Sequence, residues 1–307
     1  MNNILVTGAP RSGTTFLGEM LNLSGQVLYV WEPFNSNFRK GVKYYYPYWG
    51  KSTNLSKTNY LTKLINDTLV FKNLEGAVKI SKNDDLIRYL FKSVGINRTK
   101  LKYFVTKLKY NFINYDNLLI KDPIAIFLSE LLITKFDFRV VVCVRSPGPI
   151  IKSRINLGWD FDFSWWLNQN DFFIDHIKGY IHENRLNSDD TIFKSCMHWN
   201  LIYEYINKLK NKYPEKLIVI KQEELIVNPV NHVRDLYNEL NINYSELNDK
   251  VIKKFTSASK KKSQNNNVSK IISRNVNNLN DWENFFSESE KNKILRLTKN
   301  TFDLYYK

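Results

Sequence analysis

The stretch from Asn3 to Leu23, NILVTGAPRSGTTFLGEMLNL, constrains the fold more than any other part of the chain. Ile4 to Thr7 is an apolar run of the kind that fills a buried strand. Gly8 to Gly13 is a turn bounded by glycines, and from Thr14 to Leu23 the residues Phe16, Leu17, Met20 and Leu21 recur at helical spacing. Strand, glycine loop and helix in direct succession make an anion cradle. The loop N–H groups converge, and the helix N-terminus adds about half a positive charge. The expected architecture is α/β, a three-layer parallel sheet flanked by helices, with ligands beyond the carboxyl ends of its strands.

The loop has the spacing of a P-loop with one position changed. Gly8 and Gly13 are five positions apart and Thr15 fills the Ser/Thr slot, but the lysine slot holds Thr14 and the cation stands inside the loop as Arg11. A triphosphate hydrolase places that lysine on the β- and γ-phosphates, so phosphoryl transfer is disfavoured. A turn whose glycines serve packing alone leaves Arg11, Ser12, Thr14 and Thr15 unexplained on one loop.

The chain has 307 residues, 43% of them hydrophobic, enough for one large α/β domain spanning 1–307. Cys143 and Cys196 are the only cysteines, which fits a reducing compartment, and no run approaches the roughly 18 apolar residues of a membrane span. With the first strand starting almost at Met1, the expectation is a cytoplasmic protein whose membrane contact is at most peripheral. Forty-five basic residues against 30 acidic ones give a net charge of +15, a field that favours anionic partners without choosing among them.

Along the chain, Gln26 to Val30 reads as a second strand, followed by Trp31-Glu32-Pro33-Phe34. Pro33 biases Glu32 towards an extended conformation, so Glu32 sits at a strand end, either as a general base or as an ordinary solvated loop glutamate. Residues 38–60 alternate aromatics and cations, a surface for stacking sugars or bases or a satellite aromatic core. Helices are expected over 60–71, 84–94 and 100–115, and 38–115 reads as an insertion that builds an acceptor site. Leu118 to Ile120 is a buried strand ending in Lys121-Asp122-Pro123, with a helix over 124–136.

Arg139 to Val144, RVVVCV, is an unbroken β-branched strand, as an interior parallel strand should be. It ends in Arg145, and Ser153 lies eight residues on, in a helix over 149–157. An arginine fork at a strand end with a hydroxyl on the next helix makes a second anion site. Residues 159–187 are irregular and aromatic, suited to a lid, and 155–195 reads as a second acceptor-site insertion. Helices over 195–212, 230–240 and 287–304 and a strand over 217–221 complete the pattern. The Lys-, Ser- and Asn-rich stretch at 256–275 reads as a mobile basic flap. His176, His182 and His198 have no nucleophile beside them, and no residues have metal-ligand spacing.

Two anion sites on one sheet point to a ligand with two separated phosphates. Here the chain resembles the sulfotransferases that use 3′-phosphoadenosine 5′-phosphosulfate (PAPS), in particular their carbohydrate and bacterial-type members. TGAPRSGTTFL is similar to their 5′-phosphosulfate loop, and VVVCVRSPGPIIKSRI to their 3′-phosphate motif. WEPF resembles their Glu-Pro motif, and IVIKQEELIVNP a strand segment in which Gln222 replaces the usual tyrosine. SRNVNNLNDWENFFSESEK resembles their C-terminal basic region. The resemblance implies a P-loop-type fold and sulfuryl transfer from PAPS, released as adenosine 3′,5′-bisphosphate, without a metal. The acceptor it implies is a hydroxyl or amine, with a saccharide or lipid-linked glycan favoured. It further implies that Pro10, Arg11, Ser12, Gly13, Thr14, Thr15 and Phe16 hold the 5′ end, that Arg145, Ser153 and Arg274 hold the 3′-phosphate, that Arg11, Thr14 and Thr15 stabilise charge on the bridging oxygen as it leaves, and that Glu32 acts as base.

Two rivals stand beside this reading. A P-loop small-molecule kinase would use Asp122 for magnesium but leaves Arg145 and Ser153 idle. A non-catalytic nucleic-acid-binding protein accounts for the charge but not for the opening strand–loop–helix.

Overall fold

In the computed structural model, described over residues 2–72, 74, 98–180, 188–257 and 280–307, five strands form one parallel sheet. They are β1 (Asn2–Thr7), β2 (Val27–Trp31), β3 (Asn117–Lys121), β4 (Phe138–Val144) and β5 (Leu217–Lys221), in the spatial order β2–β3–β1–β4–β5. The interior strands are apolar on both sides because both sides are covered. On one face Leu5, Val140, Val142 and Val144 pack with α2 (Leu55–Leu69), α4 (Ser129–Phe136), α5 (Pro147–Ile155), α6 (Thr191–Lys212) and α10 (Glu288–Tyr306). On the other, Ile4, Val6, Val141 and Cys143 pack with α1 (Thr14–Asn22), α7 (Gln222–Val227), α8 (Pro229–Glu239) and α9 (Glu246–Ser257). Helix α3 (Arg98–Phe112) lies at the β2 edge. The expected three-layer α/β architecture is the one found.

Differences from the sequence reading have local causes. The segment after β3, expected as one helix over 124–136, is a 3-10 turn at Pro123–Leu128 followed by α4. Asp122 caps that turn by accepting the Ile124 N–H at 2.9 Å, and its six apolar residues are all buried. Helix α2 starts five residues earlier than expected because Asn54 caps it, and α6 starts four earlier because Asp190 does. Gln222–Val227, between the expected strand over 217–221 and the expected helix over 230–240, is helical. The expected capping box of Ser287 and Glu290 opens α10. Much of the described part of the aromatic stretch after α5, expected as a lid or acceptor loop, is buried in the core, and 181–187 lie outside the described residues. Phe161, Phe163, Trp166 and Phe172 are enclosed, whereas Trp159 is exposed. The helix expected over 84–94 lies outside the described residues. So does the flap at 256–275, apart from 256 and 257, which end α9.

The loop after β1 touches the end of β4 at Gly8. Its φ is +146°, and a Cβ placed there would stand 2.4 Å from the Cys143 carbonyl oxygen and 2.8 Å from Ser12 Oγ. Gly8→Ala is therefore expected to cost about 2–4 kcal/mol, from left-side backbone strain plus a clash with immobile backbone. Gly25→Ala, at φ +68° with nothing within 4 Å, should cost about 1 kcal/mol. Urea denaturation of both variants checks this, and equal midpoints would refute the tight contact.

Candidate active site

The loop and the end of β4 join in one polar cluster. Arg11 is held at φ +79°. Its Nε donates to Ser153 Oγ at 2.8 Å, while Arg145 Nη1 donates to the Arg11 carbonyl oxygen at 3.0 Å. Trp199 Nε1, from α6, donates to the Arg145 carbonyl at 2.8 Å, and the Cys143 thiol donates to the Ser12 carbonyl at 3.1 Å. The two anion sites that the spacing separates are thus linked through Arg11, whose guanidinium lies on the Ser153 side and 6.0 Å from the Trp159 ring.

Electrostatically the cluster has an excess of positive charge. Burial pushes both guanidinium groups below the usual arginine range, and the Arg11 charge adds to the shift of Arg145. Among the described residues neither arginine forms an ion pair. Glu223 is the acid whose field reaches Arg145, but its oxygens accept the Ser146 N–H and the Tyr306 hydroxyl, both at 2.9 Å. Helix α1 begins at Gly13, φ +113°, with no side-chain cap on its first turn. Two guanidinium groups and an uncapped helix start form a donor set that fits phosphate or sulfate.

The remaining loop residues divide by burial. Thr15 is half-buried, while Thr14 and Ser12 are buried. The Ser12 N–H donates to the Ala9 carbonyl at 2.9 Å, so it closes the loop. Pro10 is buried, and the Phe16 ring lies in the core beneath the sheet, leaving only its backbone for a ligand. Arg274 lies outside the described residues, as does His182. His198 is enclosed between the Tyr46 hydroxyl at 2.8 Å and Arg154 Nη1 at 3.3 Å, and burial pushes its pKa well below the ordinary value. His176 packs against Tyr48 and Phe172, with its pKa pushed down to about 4 by burial.

Glu32 occupies the second half of the site, two strands away. It is 8% exposed and held at φ +47°, a left-handed conformation rather than the extended one expected from Pro33. Its N–H donates to the Lys121 carbonyl at 2.8 Å, continuing the β2–β3 ladder. The ammonium of Lys121, 1% exposed, donates to Glu32 Oε1, and Asn35 Nδ2 donates to Oε2 at 2.8 Å. Tyr103, from α3, donates to the Glu32 carbonyl at 3.1 Å. Each carboxylate oxygen carries one side-chain donor and keeps a lone pair for a further proton.

Lys121 has the right placement in sequence, but its role shows only in three dimensions. The signal available was a cation ending an otherwise apolar strand. Glu223, Asn35 and Tyr103 had no signal, since each acts through a partner that only the fold supplies. Asp122 is fully buried, and its oxygens accept the Phe34 and Ile124 N–H groups at 2.7 and 2.9 Å. It tethers the two loops that flank Glu32, and burial beside the Glu32 charge raises its pKa. That is a structural duty, distinct from the magnesium-holding one that a kinase requires. Among the described residues no three His, Cys, Asp or Glu side chains form a metal ligand set.

Comparison with known proteins gives a family. A model described as the sulfotransferase domain matches residues 1–305. No curated protein sequence matches. Among solved structures, mouse sulfotransferase SULT7A1 complexed with PAP is 11% identical, with a TM-score of 0.46, covering 98% of this chain and 84% of that one. The sulfotransferase domain from the curacin biosynthetic pathway is 13% identical, with a TM-score of 0.47 and 97% of each chain covered. Sulfotransferase STF1 from Mycobacterium tuberculosis is 16% identical, with a TM-score of 0.39, covering 93% of this chain and 77% of that one. At these identities and scores the family model alone carries the assignment.

The buried Lys121–Glu32 pair sets a stability test. Lys121→Met strands a buried carboxylate and should cost about 3–5 kcal/mol. The double variant Lys121→Met/Glu32→Gln removes both charges and should recover most of that loss. Denaturant titration of the three proteins decides it. A double variant as unstable as the single one would show that the pair is not coupled.

Proposed function

This chain belongs to the sulfotransferase domain family, and from that premise we propose that its acceptor is a saccharide hydroxyl and that Glu32 is the base. The enzyme is a PAPS-dependent sulfotransferase. The observation that carries the residue assignment is the contact between Arg11 and Arg145, two neighbouring cations with no ion-paired acid among the described residues.

When bound, PAPS supplies the sulfuryl group and leaves as adenosine 3′,5′-bisphosphate. Arg145 and Ser153 hold the 3′-phosphate, with Arg274 as an additional cation for it. Gly13, Thr14, Thr15 and the Phe16 backbone, at the uncapped start of α1, hold the 5′ end, where Arg11 balances the charge that develops on the leaving oxygen. Glu32 takes the acceptor proton on a free lone pair of its carboxylate, and Lys121 and Asn35 fix its direction. Sulfuryl transfer is close in kind to phosphoryl transfer, so positioning and charge carry the rate.

Support for a saccharide comes from the exposed aromatic ring beside the arginine half of the site. The Trp159 ring, which flanks Arg11, is exposed, and Trp31 adjoins Glu32 although Lys102, Lys121 and Phe38 already contact its ring. Flat aromatic surfaces of this kind suit the apolar faces of sugar rings. The resemblance of WEPF to the Glu-Pro motif of carbohydrate members points the same way.

Three measurements test this reading. Calorimetric titration should show adenosine 3′,5′-bisphosphate binding without metal and far more tightly than ATP–magnesium, with the reverse order favouring a kinase. Arg145→Ala should weaken that binding about a hundredfold, roughly 2–3 kcal/mol for a charged, multiply bonded contact. With labelled PAPS and a panel of saccharides, phenols and amines, sulfate should pass to saccharides. On the best acceptor, Lys121→Met/Glu32→Gln, in which no buried charge is stranded, should lose roughly 10²–10⁴-fold in turnover while retaining nucleotide affinity. Equal losses in both would remove Glu32 as base.

A further inference from the structure

Helix α3 turns an apolar face outward. Leu101, Phe104, Val105, Leu108 and Phe112 are all exposed, Phe104 to 60% and Phe112 to 81%. At about 100° per residue, positions 101, 105, 108 and 112 fall within roughly 60° of one another, on the side opposite Tyr103. The inner side is satisfied by the protein itself. Tyr103 is buried with its hydroxyl on the Glu32 carbonyl, and Tyr110 packs against Phe71 with ring centres 4.8 Å apart. A contiguous apolar stripe on the outer side marks an interaction surface.

Charge selects the occupant. The sequence of α3 carries five cations, Arg98, Lys100, Lys102, Lys107 and Lys109, and no acidic residue, on a chain of net charge +15. An apolar stripe of Leu and Phe on a helix otherwise rich in lysine is the pattern of a helix lying at a lipid–water interface. At 15 residues with lysines inside it, α3 is too short and too charged to span a bilayer. We propose that α3 docks this enzyme on an anionic phospholipid surface, with Leu101, Phe104, Leu108 and Phe112 among the outer acyl segments and the exposed Lys107 and Lys109 at the headgroups. Through Tyr103, on its inner side, the docking helix also donates a hydrogen bond to the backbone carbonyl of Glu32. Sulfuryl transfer as such does not require this docking, and lipid binding is measurable without PAPS, so the two proposals stand or fall separately.

Cosedimentation with vesicles of phosphatidylcholine and phosphatidylglycerol in equal parts, against phosphatidylcholine alone, is the primary test. Binding should be about tenfold or more tighter to the anionic vesicles and should weaken as added salt shortens the screening length. Phe104→Ser/Leu108→Ser/Phe112→Ser should lose about tenfold or more in vesicle affinity while retaining turnover on a soluble acceptor. Both native cysteines are buried, so Leu108→Cys can carry an environment-sensitive dye, whose emission should shift to the blue on adding anionic vesicles. Absence of binding, or equal binding to both vesicle types, overturns the proposal. So does a dye already shifted in buffer at every concentration, which would mean the chain covers its own stripe. A shift that grows with protein concentration without lipid overturns it too, in favour of a second copy.

Discussion

The contact of the glycine loop with the carboxyl end of β4 is the constraint on which this active site rests. Gly8 lies so close to the Cys143 carbonyl that no side chain fits between them. The same strand end reaches the loop twice more, through the Cys143 thiol on the Ser12 carbonyl and through Arg145 on the Arg11 carbonyl. Helix α6 secures the other side, with Tyr203 donating to the Cys143 carbonyl and Trp199 to that of Arg145. All of these contacts depend on β1 and β4 being parallel neighbours, with Thr7 opposite Val142. Their polypeptides then leave the sheet at the same end, and two arginines distant in sequence become adjacent in space.

This explains which parts of the site could be read from sequence. The loop and the Arg145–Ser153 pair are each built from one local stretch, strand then turn then helix, so spacing alone places their side chains. The five strands and their parallel arrangement follow for the same reason, since each is a short apolar run bounded by turn residues. Glu32 was legible as a residue but not as a geometry. Its donors Lys121 and Asn35 come from β3 and from the turn after Pro33, and its left-handed backbone runs against the bias that Pro33 sets. The aromatic stretch at 159–177 misleads in the opposite direction. Without a period it resembles a lid, yet it folds inward because Phe161, Trp166 and Phe172 find partners in Phe127 and His198. Its backbone there winds through short helical turns at Ser164–Leu167, Asn170–Phe172 and Phe173–Ile177, which turn the large rings into the core.

The two halves of the site spend their polar groups differently. Around Arg11 and Arg145, positive charge is gathered and left without an ion-paired acid among the described residues, a cost that shows in both guanidinium groups being pushed below the usual arginine range by burial. Around Glu32 the charges are already paired. Lys121 balances the carboxylate, and Asp122 ties down the flanking turns through backbone N–H groups. A left-handed glutamate costs of order 1–3 kcal/mol and persists only where its surroundings over-determine it. The ladder bond to Lys121, the ion pair, Asn35 and Tyr103 together provide that determination. One half is poised to receive charge and the other to hold a carboxylate in a fixed direction.

Strand order turns these two environments into one site. The loop leaves β1, which lies between β3 and β4, and Glu32 leaves β2 at the far side of β3. Neighbouring strands are about 4.8 Å apart, so the acid stands roughly 10 Å across the sheet from the start of the loop. In the reading proposed above, a transferring group and an acceptor hydroxyl lie between them. β3 fills the gap from below. Its last residue, Lys121, pairs in register with Val6 on one side and Trp31 on the other. The ammonium at the end of β3 therefore serves two purposes. It fixes the carboxylate, and it places a buried positive charge at the end of the strand that separates the glycine loop from Glu32.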